Sequence, residues 1–219
     1  MSAFREGRVG LYGGTFNPIH LGHLILAEVA RERLELPVLH LVPSGSPPHK
    51  PPGDLAPAAD RLAMARLAVR GNPHLRVLDL EVRREGKSYT IDTLRTIRRR
   101  MRSGAELYFL IGADSIPELP TWRETPAIIR EARVVTLDRP GYEDAFERVR
   151  GQLPDGLVRE LERNRLETPR IDISSSDIRR RIREGRSARY LAPDAVLRYA
   201  ARQGLYRPDP GAGGATEIP

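Results

Sequence analysis
Two histidines, His20 and His23, lie three residues apart within Gly13-Gly14-Thr15-Phe16-Asn17-Pro18-Ile19-His20-Leu21-Gly22-His23. The run before them, Arg8-Val9-Gly10-Leu11-Tyr12, is short and apolar and reads as a buried strand. The run after them, Leu21 to Ala30, is apolar on most sides and reads as a helix covering a sheet. That spacing stacks both imidazoles on one face, one turn apart, beside a helix N-terminus with unpaired amides and a positive dipole end. Gly13 and Gly14 let backbone approach a ligand with no Cβ in the way. Pro18 helps to keep the loop from turning helical too early. Amide donors, a positive helix end and two proton-exchanging rings together suit phosphate.

A second anion-binding pattern lies far along the chain at Ile173-Ser174-Ser175-Ser176-Asp177-Ile178-Arg179. Ser174 with Asp177 reads as an N-cap with a capping box. The consecutive hydroxyls, the free amides and Arg179 also make a phosphate site. Between the two patterns, Pro43-Ser44-Gly45-Ser46-Pro47-Pro48-His49-Lys50-Pro51-Pro52 is a stiff loop. His49 and Lys50 are clustered cationic groups in it, suited to phosphate capture. Ser88 or Thr90 in Ser88-Tyr89-Thr90-Ile91-Asp92-Thr93-Leu94 is expected to cap a helix. Asp114, at the end of the run Tyr108-Phe109-Leu110-Ile111, serves either as a turn cap or as a ribose acceptor. Trp122, the single tryptophan, lies in a polar, proline-bearing loop and suits stacking on a flat ring.

These residues need elements to carry them. Strands are expected at 8–12, 38–42, 75–80, 106–111, 133–137 and 170–173. Helices are expected at 20–34, 57–70, 90–101, 125–131, 142–150, 155–164, 175–184 and 193–203. The alternation predicts an α/β fold, a Rossmann-like, doubly wound parallel sheet with helices on both faces. Ligands in such sheets gather beyond the carboxyl ends of the strands, where the odd residues fall. One domain is expected over 1–206, with a small C-terminal helical part from about 174 to 206. The tail from 207 to 219 is expected to be disordered.

The 219 residues can bury a substantial core, and no apolar run approaches membrane-spanning length. The first residues lack the apolar centre of a signal peptide, so a soluble cytoplasmic protein is expected. With no cysteine, disulfides and thiolate metal sites are excluded. The net charge of +7 rests almost wholly on arginine, since Lys50 and Lys87 are the only lysines. The runs Arg98-Arg99-Arg100 and Arg179-Arg180-Arg181 fall on expected helices without interleaved aromatics, which speaks for solvated faces rather than a nucleic-acid stripe.

The first motif resembles the G-x-F-x-P-x-H-x-G-H signature of the nucleotidyltransferase superfamily, related to class I aminoacyl-tRNA synthetases. Within it, Pro47-Pro48-His49-Lys50, the S-Y-T-x-D-T-L segment, I-G-A-D-S followed by L-P-x-W, and the I-S-S-x-x-I-R segment are similar to bacterial nicotinate-mononucleotide adenylyltransferases. Ser176 stands where that family usually has threonine, and Asp177 adds a negative charge. The resemblance runs from about Val9 to Tyr206. It implies transfer of the adenylyl group of ATP to nicotinate mononucleotide, giving deamido-NAD and pyrophosphate, with Mg2+ on the substrate phosphates and no protein-held metal.

By the same resemblance, Gly13, Gly14, Thr15, Phe16, His20, Gly22, His23, Ser174, Ser175, Ile178 and Arg179 face ATP, with the two histidines catalytic. His49, Lys50, Thr90, Gly112, Asp114, Trp122 and Arg139 face the acceptor, and the backbone amide of Arg123 faces its carboxylate. No nucleic-acid or membrane partner is implied, and a homo-oligomer is left open. An acceptor such as nicotinamide mononucleotide or pantetheine phosphate, or a nucleic-acid module, are the rival readings.

Overall fold
The computed structural model describes residues 4, 6–48 and 55–208. Its strands are β1 (Arg8–Gly14), β2 (Leu39–Pro43), β3 (Leu75–Val77), β4 (Glu106–Gly112), β5 (Arg133–Leu137) and β6 (Arg165–Leu166). They form one sheet in the order β3-β2-β1-β4-β5-β6, with every pairing parallel. The helices are α1 (Leu21–Arg33), α2 (Ala58–Ala68), α3 (Thr90–Arg98), α4 (Thr125–Glu131), α5 (Asp155–Arg163), α6 (Ser175–Arg183) and α7 (Asp194–Arg202).

Strand residues alternate between two cores. Leu107, Phe109 and Ile111 of β4 pack with Ile91, Leu94 and Ile97 of α3 and with Leu161 of α5. Tyr108 and Leu110 of the same strand face the other way, toward a cluster with Ala27 and Ala30 of α1, Met64 of α2, Ile178 of α6 and Val196 of α7. Both sheet faces are therefore covered, as an all-parallel sheet requires. The chain winds outward from β1 through β2 to β3, then returns to place β4 on the other side of β1. That reversal opens a crevice beyond the carboxyl ends of β1 and β4, the place where such sheets bind ligands.

Three expectations about elements are corrected. Residues 170–173 form no strand; the sixth strand is the two-residue β6 at Arg165–Leu166. Pro169 has no N–H to offer a ladder, so the chain leaves the sheet and carries Ile171 and Ile173 to the crevice wall. Residues 142–150 are not one helix but turns with a 3-10 segment at Glu147–Val149, anchored by buried Ala145, Phe146 and Val149. Residues 113–121, assigned to no element and leading into the loop expected around Trp122, wind as a 3-10 helix containing Pro117 and Pro120. Two missing amide donors are tolerated in such tight turns but not in a long α-helix.

Candidate active site
His20 and His23 cap α1 with one another. His20 is the N-cap residue in extended conformation, and its Nδ1 accepts from the amide of His23 at 3.3 Å. In return, His23 Nδ1 accepts from the amide of His20 at 3.2 Å. This is a capping box in which imidazoles replace the usual hydroxyl and carboxylate. The rings stack with centroids 3.6 Å apart. Gly22 is what allows it, because a Cβ there would meet His20 Nδ1 at 3.0 Å. Phe16 stands edge-on to His23 with centroids at 5.0 Å and closes the apolar side.

The two bonds fix the chemistry of the rings. With both Nδ1 atoms accepting, the proton of each neutral ring sits on Nε2, which becomes a donor. His20 Nε2 is buried and finds no hydrogen-bond partner among the described residues. Burial pushes the His20 pKa down to about 3, with a further lowering from the Arg139 cation. His23 is held well below its ordinary value by burial, by His20 and by Arg139. Both are thus neutral donors at neutral pH. The amides of α1 are more committed than expected: Leu21 N–H is given to the carbonyl of Leu191 and His23 N–H to His20. The donors left to face the cleft at this end are therefore mainly the two rings.

Across the crevice α6 starts on Ser174, whose hydroxyl accepts from the amide of Asp177 at 3.1 Å. The expected capping box is only half formed, since the Asp177 carboxylate turns outward to Arg180 and Arg181. The two arginines offset the negative charge that would oppose an anion there. Ser175 Oγ donates to the carbonyl of Pro18 at 2.9 Å, and Arg179 Nη1 donates to the carbonyl of Asn17 at 3.0 Å. Both bonds tie α6 to the β1–α1 loop. Ser174, Ser175, Ser176 and Arg179 line the same cleft as His20 and His23. Ile178 does not reach it. Its side chain is fully buried in the core and its amide is spent on the carbonyl of Ser174.

The cleft, of about 500 Å³, extends from these residues to Thr90, Gly112, Asp114, Trp122, Arg123 and Arg139. Gly13, Gly14, Thr15, Phe16 and Gly22 also lie on its wall. Its size suits a small-molecule substrate pair. Trp122 is half-buried, packs against the core and lines the cleft. Arg123 lies over the Tyr89 ring at 5.0 Å. Asp114 neither caps the following turn nor points freely at the cleft: it pairs with Arg139 Nη1 at 2.9 Å. A Cβ on Gly112 would fall 2.3 Å from Asp114 Oδ1, so glycine there makes room for the pair. Ser88 and Thr90 do not cap α3, which starts on Tyr89 with no side-chain cap. Ser88 Oγ instead accepts from the amides of Gly45 and Ser46.

His49 and Lys50 lie outside the described residues. Glu81 and Asn17 line the cleft without having been expected. Glu81 is buried, which raises its pKa, and accepts from Thr93 Oγ1 at 2.7 Å. Asn17 Oδ1 accepts from the amide of Ala56 and from the hydroxyl of Tyr206. Glu81 carries no local sign of its burial in the sequence; Asn17 stood inside the first motif and could have been singled out.

A family model described as cytidylyltransferase-like matches residues 11–181. A probable nicotinate-nucleotide adenylyltransferase of Thermomicrobium roseum is 46% identical over 200 residues, spanning 91% of this chain and 92% of the relative. One from Moorella thermoacetica is 44% identical over 206 residues, spanning 93% and 94%. Among solved structures, Plasmodium falciparum nicotinic acid mononucleotide adenylyltransferase complexed with NaAD superposes with a TM-score of 0.72 over 91% of this chain and 97% of that one. At 17% identity this last likeness is one of fold.

Proposed function
The chain belongs to the cytidylyltransferase-like family, beside relatives named nicotinate-nucleotide adenylyltransferases, and from that premise we propose how its cleft works. It is a nucleotidyltransferase that moves the adenylyl group of ATP to nicotinate mononucleotide, a step of NAD synthesis. The observation that carries the assignment of residues is one continuous cleft with neutral imidazole donors and a serine-rich helix start at one end and Trp122, Thr90 and Arg123 at the other.

No protein nucleophile is needed. An oxygen of the acceptor phosphate attacks the α-phosphorus in line, the bond to the bridging oxygen of the β-phosphate breaks, and pyrophosphate leaves with the electron pair. The protein supplies position and charge stabilisation. His20 and His23 donate from Nε2 to oxygens around the reacting phosphorus. They can do so without being charged, which suits a site that must not trap its anionic product. Ser174, Ser175 and Arg179 hold the departing pyrophosphate. Trp122 stacks on the pyridine ring, Thr90 and the Arg123 amide meet its carboxylate, and Asp114 with Arg139 faces the acceptor nucleotide. His49 and Lys50 are assigned to the acceptor phosphate.

Magnesium is the ion expected with ATP. Among the described residues no group of three or more His, Asp or Glu side chains is placed to hold a metal. Its ligands would be phosphate oxygens and water, and it would neutralise the charge on the triphosphate. We take 1–206 as one nucleotidyltransferase domain acting on free nucleotides in the cytoplasm. Among the described residues no helix is long and apolar enough to cross a membrane.

The test is pyrophosphate release with ATP and magnesium, offered nicotinate mononucleotide, nicotinamide mononucleotide or pantetheine phosphate in parallel. The reading expects the acid to exceed the amide by at least about tenfold, since paired donors are left unmet by the amide. Preference for pantetheine phosphate would overturn the acceptor assignment while leaving the phosphate end standing.

A further inference from the structure
Arg61 of α2 is completely buried and, among the described residues, makes no salt-bridge contact, although the Glu81 carboxylate is near enough to favour its charged form. Its guanidinium donates only to backbone carbonyls. Nε donates to Ala56 at 2.9 Å, Nη1 to Thr15 at 2.8 Å and to Ser44 at 2.6 Å, and Nη2 to Gly45 at 2.7 Å. A buried charge of this kind is costly unless its donors are met, and four good acceptors meet them. The acceptors do not belong to one segment. Thr15 follows β1, Ser44 and Gly45 follow β2, and Ala56 precedes α2.

The loop after β2 is gripped from its other side as well. Ser88 Oγ accepts from the amides of Gly45 at 3.0 Å and Ser46 at 3.2 Å. The peptide units on both sides of Gly45 are thus held by a guanidinium at their carbonyls and a hydroxyl at their amides. No side chain fits at position 45, where a Cβ would come within 2.2 Å of the Glu81 carbonyl oxygen. Thr15 and Ser44 both line the cleft. One rigid, planar fork therefore bridges two cleft-lining loops, one step beyond the backbone bond from Ser44 N–H to the Gly14 carbonyl at 3.0 Å.

We propose that Arg61 is a positioning residue for adenylyl transfer: by bridging the loops after β1 and β2 it sets the acceptor phosphate against the α-phosphorus of ATP. The proposal rests on the functional reading above, in which the first loop faces ATP and the second faces the acceptor. Each loop keeps its own contacts without Arg61, so each substrate alone should still bind. What is lost is their mutual placement, and reactions of this kind fall steeply with small misplacement.

The experiment compares the parent enzyme with Arg61→Lys, Arg61→Met and Ser88→Ala. It measures kcat for pyrophosphate release and, by calorimetry, the Kd of magnesium ATP and of nicotinate mononucleotide separately. Arg61→Met, which fills volume without donors, should lower kcat about 100-fold, and Arg61→Lys, which keeps the charge but not the fork, about 10-fold. Ser88→Ala should show a smaller loss of the same kind. Each Kd should stay within about threefold of the parent. A folded Arg61→Met enzyme with near-parental kcat would overturn the proposal, as would a kcat loss matched by loss of both affinities. Should Arg61→Met fail to fold, unchanged kcat in both Arg61→Lys and Ser88→Ala overturns it equally. A parent enzyme that prefers a different phosphorylated acceptor would defeat the acceptor assignment instead, and the Arg61 comparison would then be run on that acceptor.

Discussion
At the end of the cleft we assign to phosphate, His20 and His23 owe their geometry to one turn of α1, each ring accepting the other's amide. At the end we assign to the acceptor, Thr90, Asp114, Trp122 and Arg139 come from three segments and meet only through the packing of α3, the 3-10 helix at Ala113–Thr121 and β5. The first arrangement is local and is formed as soon as the helix forms. The second depends on the whole sheet. A local device can be stiff and chemically invariant, which suits the phosphates common to every turnover. An assembled wall can be altered piece by piece, which suits recognition of one acceptor among several.

If the ends differ in this way, damage to them should differ in kind. The largest effect is expected from His23→Ala or His20→Ala: kcat should fall about 100- to 1,000-fold, as for loss of one preorganised donor, with acceptor KM little changed. A rise in acceptor KM of the same size would erase the distinction. Trp122→Ala should act the other way, raising acceptor KM about tenfold through lost stacking while kcat and ATP KM hold. Equal loss for both substrates would place Trp122 in the common scaffold. The smallest effect is expected from Asp177→Asn, because its partners Arg180 and Arg181 lie on the solvent side of α6. Its kcat should stay within about twofold of the parent, as exposed ion pairs contribute little.

The same contrast governs what could be read from the chain. The strand, the glycines and the paired histidines are contiguous, so their type and spacing announce a strand-to-helix phosphate site. The reciprocal histidine cap was less legible, because imidazoles are uncommon in that role and its partners are backbone amides. Ser88 looked like a cap, since hydroxyls before helices usually are, but the nearby loop after β2 offered it two amides instead. Asp177 looked like half of a capping box until Arg180 and Arg181 drew it outward. Arg61 could not be singled out at all. On a helix with a mixed surface it resembles any exposed arginine, and only tertiary packing turns it inward.

The histidines also carry a pH signature. Their folded pKa values lie below the ordinary 6.5, with His20 at about 3. Between those limits the unfolded chain binds more protons than the folded one, so their contribution to stability is complete above about 6.5 and is lost as pH falls through that window. Titration of these rings should leave activity flat between pH 7 and 8.

The most direct test is a nitrogen-15 titration of the imidazoles in the free enzyme, followed by NMR from pH 8 to pH 5. The account predicts that His20 and His23 both stay neutral and protonated on Nε2 throughout. Either ring charging near pH 6.5, or carrying its proton on Nδ1, would contradict the preformed pair of neutral donors on which the phosphate end depends.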